Sequence, residues 1–235
     1  MSSDAMGARL TLLIDADDTL WENNIYFERA FDQFVEFLDH SALTPSQVRD
    51  VLNEIELVNA KIHGYGSKNF GRNLQQAYQH LAEREIRESD LKQVFALAER
   101  ILEEPVRLIE GVEETLGYLY ERHELTVFTK GHPDEQQIKV DRSGLGRYFT
   151  RTAIVKEKDA HAYRRFVETH DLDPNGTWMI GNSPKSDVNP ALEAGLSAVL
   201  VPHPHTWVLE HQELREAPEG RLLKVERFTD LRRHF

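Results

Sequence analysis

The sequence predicts an α/β fold: a parallel-sheet core, residues 1–21 and 106–235, with an all-α domain, residues 22–105, inserted into it. Three observations point there. A short apolar run rich in branched residues, Leu10-Thr11-Leu12-Leu13-Ile14, stops abruptly at the acidic turn Asp15-Ala16-Asp17-Asp18-Thr19. The stretch from Asn23 to Pro105 carries only helical periodicity. From Val106 onwards, apolar runs of strand length alternate with helical patterns, as βαβ units do.

The first run is apolar on consecutive residues, as a strand buried on both faces of a parallel sheet should be. In the insert, Phe27, Ala30, Phe31, Phe34, Val35 and Leu38 recur at helical spacing. Thr44-Pro45-Ser46-Gln47 reads as a helix start, with Thr44 as N-cap, Pro45 at the first position and Gln47 closing a capping box. Val48, Val51, Leu52, Ile55 and Ile62 are expected to form that helix's apolar stripe. Beyond Gly64-Tyr65-Gly66 a third helix carries Phe70, Leu74, Ala77, Tyr78 and Leu81, and a fourth, starting near Ser89, carries Leu91, Val94, Phe95, Ala98, Ile101 and Leu102. After the insert come a helix around Val112–Arg122, the run Leu125–Phe128 ending at Thr129-Lys130-Gly131, the run Thr152–Val155, and a helix near His161–His170. Trp178-Met179-Ile180, ending at Gly181-Asn182, a helix near Asn189–Ala194 and Ala198–Val201 complete the alternation. Val225 and Phe228 are candidate late strand or helix contacts in the tail that begins at His203.

Composition narrows the function classes. The 235 residues include 28 Lys+Arg and 40 Asp+Glu, a formal net charge of −12, which disfavours nonspecific binding to nucleic acid or an anionic membrane. No cysteine is present, which excludes disulfides, thiolate metal sites and a thiol nucleophile. No apolar run approaches the roughly 18 residues a membrane span needs. Met1–Arg9 lacks a basic stretch before an apolar segment, so no secretory signal is expected and the expected location is the cytoplasm.

In an open α/β sheet, ligands bind beyond the carboxyl ends of the strands. Asp15 and Asp17, Thr129 and Lys130, Lys158, and Asn182 with Asp187 all fall at or near that edge. Close carboxylates repel unless a cation or a shared proton separates them. An all-oxygen donor set suits Mg²⁺. On the residues alone, Asp15–Thr19 reads equally well as an acidic turn capping the next helix. A calcium loop of the EF-hand type fits poorly, because Leu20 and Tyr26 stand where its glycine and final glutamate belong.

Four short motifs in order resemble the haloacid dehalogenase superfamily, most of whose members are Mg²⁺-dependent phosphatases. Asp15-Ala16-Asp17-Asp18-Thr19-Leu20 matches the first motif throughout, and Thr129 in Val127-Phe128-Thr129-Lys130-Gly131 matches the second. Lys158 in Glu157-Lys158-Asp159 fits the third better than Lys156, and Gly181-Asn182-Ser183-Pro184-Lys185-Ser186-Asp187, running on to Glu193-Ala194-Gly195, matches the fourth. The resemblance covers Leu10–Trp21 and Val106–Pro202. It implies a Rossmann-like core with the helical insert as a cap after the first motif.

The resemblance also implies roles. Asp15 is the nucleophile that forms an aspartyl-phosphate, and Asp17 is the general acid and then the general base. Thr129, helped by backbone N–H groups at Lys130 and Gly131, holds the phosphoryl oxygens, and Lys158 offsets the negative charges. Mg²⁺ is held by Asp15, the backbone carbonyl of Asp17 and Asp187, with Asn182 orienting a bound water. Asn182 departs from the family's usual Asp, so altered Mg²⁺ binding is expected. The expected substrate is a small phosphorylated metabolite, and the expected assembly a monomer or homodimer. A dehalogenase, or a phosphonatase, needs no acid at position 17. A phosphomutase and a degenerate Mg²⁺- or phosphate-binding module are further readings. In the insert, Tyr65 and Lys68 of the cationic segment Lys61–Arg72 are candidate contacts for the leaving group, against a mobile connection with solvated charges. His132 reads as a helix-start residue facing solvent, and Trp21 as packed under the cap.

Overall fold

The computed structural model describes residues 9–235; the leader expectation, which concerns residues 1–9, lies almost wholly outside them. Contacts divide the chain into two units, Met1–Glu22 with Arg107–Phe235, and Asn23–Val106.

The first unit is built on six parallel strands: β1 (Thr11–Ile14), β2 (Glu124–Lys130), β3 (Arg151–Val155), β4 (Thr177–Gly181), β5 (Ser197–Leu200) and β6 (Leu222–Lys224). Their order is β3-β2-β1-β4-β5-β6. β1 pairs with β2 on one side and with β4 on the other, so the direction of winding reverses at β1, where open α/β sheets form their ligand crevice. Leu12, Leu13 and Ile14 are fully buried, which explains the unbroken apolar run. Leu13, in register with Thr126 and Met179, packs on one face with Phe128, Tyr163, Val188 and Ala198. The connecting helices are α5 (Val112–Tyr120), α6 (Pro133–Ser143), α7 (Ala160–Thr169) and α8 (Asn189–Glu193). α5 packs against β2 and the terminal turn Phe228–Arg233, where Phe228 and Leu231 are buried. Val225 follows β6 directly.

The second unit holds α1 (Asn24–Leu38), α2 (Pro45–His63), α3 (Ser67–Leu81) and α4 (Glu88–Glu99), around a core that includes Phe34, Leu52, Leu74, Tyr78 and Val94. The predicted capping box is present: Gln47 N donates to Thr44 Oγ1 at 3.3 Å and Thr44 N to Gln47 Oε1 at 2.9 Å. Ile62 departs from the predicted stripe. It is 63% exposed, because the apolar face of α2 ends at Ile55. Gly64 and Gly66 adopt positive φ between α2 and α3, and Asn69 Nδ2 pins that turn by donating to His63 O at 2.6 Å. Among the described residues, no helix is long and apolar enough to cross a membrane.

Candidate active site

The site grows out of the end of β1. Asp15 N donates to Ile180 O at 2.9 Å, carrying the β1–β4 ladder one residue further. The chain then turns tightly: Leu20 N reaches Ala16 O at 2.8 Å, Asp18 N reaches Trp21 O at 2.8 Å, and Asp18 takes φ 58, a conformation that Asp tolerates better than most residues. This turn buries Asp15 and leaves Asp17 partly accessible.

Lys158, two residues ahead of α7, is 3% exposed. Its ammonium donates to Asp15 Oδ1 and, at 2.7 Å, to Asp187 Oδ1. Lys156, by contrast, is exposed. Asp187 is placed by the tight turn Pro184–Val188 ahead of α8, and its Oδ2 accepts from Ser183 N at 2.9 Å. A Cβ on Gly181 would lie 2.2 Å from Asp187 Oδ2, so only glycine fits there. Burial, and next the charge of Asp187, push Asp15 up to about 7 against the pull of Lys158. Burial works against the Lys158 ammonium, but the two aspartates hold its pKa above the ordinary value. One ammonium thus serves two buried carboxylates.

Thr19 Oγ1 lies 3.2 Å from Asp15 Oδ2 and 3.3 Å from Asn182 Oδ1, which brings the nucleophile candidate and the atypical amide to one hydroxyl. Asn182 Nδ2 donates to Thr206 Oγ1 at 2.9 Å. The loop carrying Thr206 also carries His203, whose Nε2 is 3.4 Å from Glu22 Oε2 and whose Nδ1 accepts from His205 N at 3.3 Å. The donors at this edge are hard oxygens beside two buried carboxylates that share one ammonium, and both features fit a divalent cation such as Mg²⁺.

Thr129, next to last in β2, is almost fully buried, and its Oγ1 accepts from Gln136 Nε2 at 2.7 Å, leaving its own proton for another acceptor. Gly131 N donates to Val155 O at 3.3 Å, which corrects the expectation that this N–H faces the phosphoryl oxygens. Gly131 instead makes room: a Cβ there would lie 2.9 Å from Gln136 Cγ. Lys130 is also engaged, by Glu210 Oε1 at 2.6 Å and Ser186 Oγ at 2.7 Å, with Glu157 at 3.5 Å. Burial opposes that ammonium, but Glu210 leads the charges that raise its pKa, and the pairing ties β2 to the turn Val208–Glu210 that follows β5. Trp21 is buried in this unit with its indole N–H on Asp17 Oδ1 at 2.8 Å, a contact its sequence position does not announce. His132 is exposed at the start of α6, and Lys185 is exposed with its Nζ on Leu209 O at 2.9 Å. In the helical unit, Tyr65 is half-buried in the α2–α3 turn and Lys68 is exposed on the first turn of α3.

Sequence reasoning missed Gln136, Lys139 and Glu210. Gln136 Nε2 lies 3.2 Å from Asp17 Oδ2, and Lys139 Nζ lies 2.8 Å and 2.6 Å from the two oxygens of Asp17. Gln136 and Lys139 sit in a polar helix whose only signal was Pro133-Asp134-Glu135 opening it two residues after Gly131, and Glu210 follows Trp207-Val208-Leu209 in the tail, where no motif marks it.

A doubly wound sheet whose central strand delivers an aspartate to a buried lysine and a second aspartate defines an α/β protein with a carboxylate-centred crevice. The sequence model of the haloacid dehalogenase-like hydrolases matches residues 12–201, and the chain belongs to that family. Among solved structures it is similar to a haloacid dehalogenase-like family hydrolase from Xanthomonas campestris, with 27% identity, 97% of this chain and 94% of that one covered, and a TM-score of 0.81. It is also similar to YfnB of Bacillus subtilis, described as a HAD-hydrolase and bound to magnesium (17% identity, 96% and 98% covered, TM-score 0.69). L-2-haloacid dehalogenase of Xanthobacter autotrophicus is similar as well (19% identity, 96% and 97% covered, TM-score 0.65). The last two likenesses concern the fold alone. No curated protein matches the chain.

Proposed function

We propose that the protein is a Mg²⁺-dependent phosphomonoesterase that acts on a small phosphorylated metabolite through an aspartyl-phosphate on Asp15, with the helical unit as its cap. The observation that carries this reading is the buried Asp15–Lys158–Asp187 cluster, in which two carboxylates share one ammonium, with Asp17 two residues beyond the nucleophile. Asp15, Asp187, the carbonyl of Asp17 and the Asn182 amide are the groups that would hold the ion. Bound there, Mg²⁺ would draw charge from the phosphoryl group and ease the approach of two anions.

Each residue then has a task. Lys158 stays protonated and keeps the Asp15 carboxylate oriented. Asp15 Oδ attacks phosphorus while Asp17 gives its proton to the departing alkoxide. Water then attacks the aspartyl-phosphate and yields its proton to Asp17, which restores Asp15. The Thr129 hydroxyl, which accepts from Gln136, donates to a phosphoryl oxygen. Lys130, bound to Glu210 and Ser186, fits a bracing role better than substrate contact. Tyr65 and Lys68 are proposed to meet the leaving group. A dehalogenase needs no acid at the position of Asp17.

The test is turnover of p-nitrophenyl phosphate against release of chloride from L-2-chloropropionate, each with and without Mg²⁺. Phosphatase turnover that needs Mg²⁺ and is lost in Asp15→Asn is expected. Metal-independent chloride release without phosphatase turnover would overturn the proposal.

A further inference from the structure

Asp17 is held by more donors than a proton-transfer group in an open crevice needs. Trp21 Nε1 donates to its Oδ1 at 2.8 Å, Lys139 Nζ reaches both oxygens at 2.8 Å and 2.6 Å, and Gln136 Nε2 reaches Oδ2 at 3.2 Å. Gln136 and Lys139 stand three residues apart on α6, so their side chains leave the same face of the helix. The Gln136 amide also donates to Thr129 Oγ1 at 2.7 Å, and it fits there because residue 131 has no Cβ. A single helix face therefore touches both Asp17 and Thr129.

We propose that Gln136 and Lys139 are positioning residues that fix Asp17 for proton transfer and set its place relative to Thr129. The proposal rests on the phosphatase reading. When the P–O bond to the leaving group breaks, its electron pair stays on the alkoxide oxygen, which takes the proton of Asp17. Asp17 is then a carboxylate, held by the same donors from Trp21, Gln136 and Lys139. In the second step the attacking water forms a new P–O bond, the bond from phosphorus to Asp15 breaks, and the water's proton goes to Asp17. Both steps need Asp17 in one attitude, and four contacts from three donor side chains leave its torsions little freedom. Lys139 is 18% exposed at its side chain, within reach of solvent yet tied to Asp17.

The experiment compares wild type, Lys139→Met and Lys139→Arg. With an alkyl phosphate that the wild type turns over, kcat of Lys139→Met is expected to fall roughly 10- to 100-fold with KM little changed, because an alkoxide must be protonated to leave. The pre-steady-state burst of p-nitrophenolate from p-nitrophenyl phosphate, whose leaving group departs without a proton, is expected to stay within about threefold. Lys139→Arg recovers part of the loss. A second readout needs no turnover. The Trp21 indole N–H resonance, one of three tryptophan signals, shifts in both Lys139→Met and Asp17→Asn while those of Trp178 and Trp207 stay in place. Alkyl turnover unchanged, alkyl and aryl rates falling by one common factor, or an unmoved Trp21 resonance in Lys139→Met would each overturn the proposal. A wild type without Mg²⁺-dependent phosphatase activity would instead sink the functional reading, and the resonance alone would then decide whether Lys139 fixes Asp17.

Discussion

Glu56→Gln should stabilise the helical unit at neutral pH and leave it unchanged in acid. Glu56 lies on α2, only 6% exposed, and its Oε2 has no hydrogen-bond partner among the described residues. Burial raises its pKa from an ordinary 4.5 to about 8, with Arg49 pulling the other way. A carboxyl whose folded pKa lies above its unfolded one binds protons more tightly in the folded state. Stability from this group is therefore intact below about pH 4.5 and drains away as pH climbs towards 8, where both states are ionised. At about 1.4 kcal/mol per tenfold change, the loss is about 3 kcal/mol at pH 7 and saturates near 5 kcal/mol above pH 8. Glutamine keeps the volume and cannot ionise, so the variant escapes this loss. Urea unfolding of both proteins at pH 4, 7 and 9, followed by helical circular dichroism, reads the difference. Curves that coincide at pH 4 and separate at pH 7 and 9 are expected. A constant offset at all three values would refute the argument that ionisation of this buried carboxyl limits stability.

Four further outcomes follow from the site. Asp15→Asn should lower phosphatase kcat by at least about a thousandfold with the circular dichroism spectrum unchanged, as loss of a nucleophile does; retention of half the activity would exclude Asp15 from that role. Because burial and Asp187 hold Asp15 up at about 7, protons compete with Mg²⁺, and its Kd should rise about tenfold per pH unit below 7 by calorimetry; flat affinity from pH 6 to 8 contradicts this. Lys158→Met leaves Asp15 and Asp187 buried without their cation and should cost about 3–5 kcal/mol, recovered in part by millimolar Mg²⁺ in thermal melts. Gly181→Ala should displace Asp187, since the new methyl would sit 2.2 Å from its Oδ2; Mg²⁺ affinity is expected to drop about 10- to 100-fold with the sheet intact in a crystal structure.

Local chemistry made much of this protein legible from its sequence. The run Leu12–Ile14 can only be buried on both sides, the helical stripes of the insert need a core of their own, and Thr44-Pro45-Ser46-Gln47 caps a helix by contacts three residues apart. The motif residues Asp15, Thr129, Lys158 and Asp187 follow strands or precede helices, so their arrival at one edge follows from the parallel topology. Ile62, which keeps helical spacing yet faces solvent, shows where periodicity stops being informative: burial depends on where the neighbouring helices end.

Tertiary structure alone decided who partners whom. Nothing in the spacing of Asp17, Trp21, Gln136 and Lys139 announces that α6 folds two polar side chains back onto the first motif across more than a hundred residues. Nor does it reveal that Glu210 takes up Lys130, or that Val155 takes the N–H of Gly131. Hydrophobic patterning carries period and face, whereas a hydrogen bond between distant polar groups is selected by three-dimensional proximity and by the cost of leaving either group buried and unpaired. That selection leaves no periodic trace in the sequence.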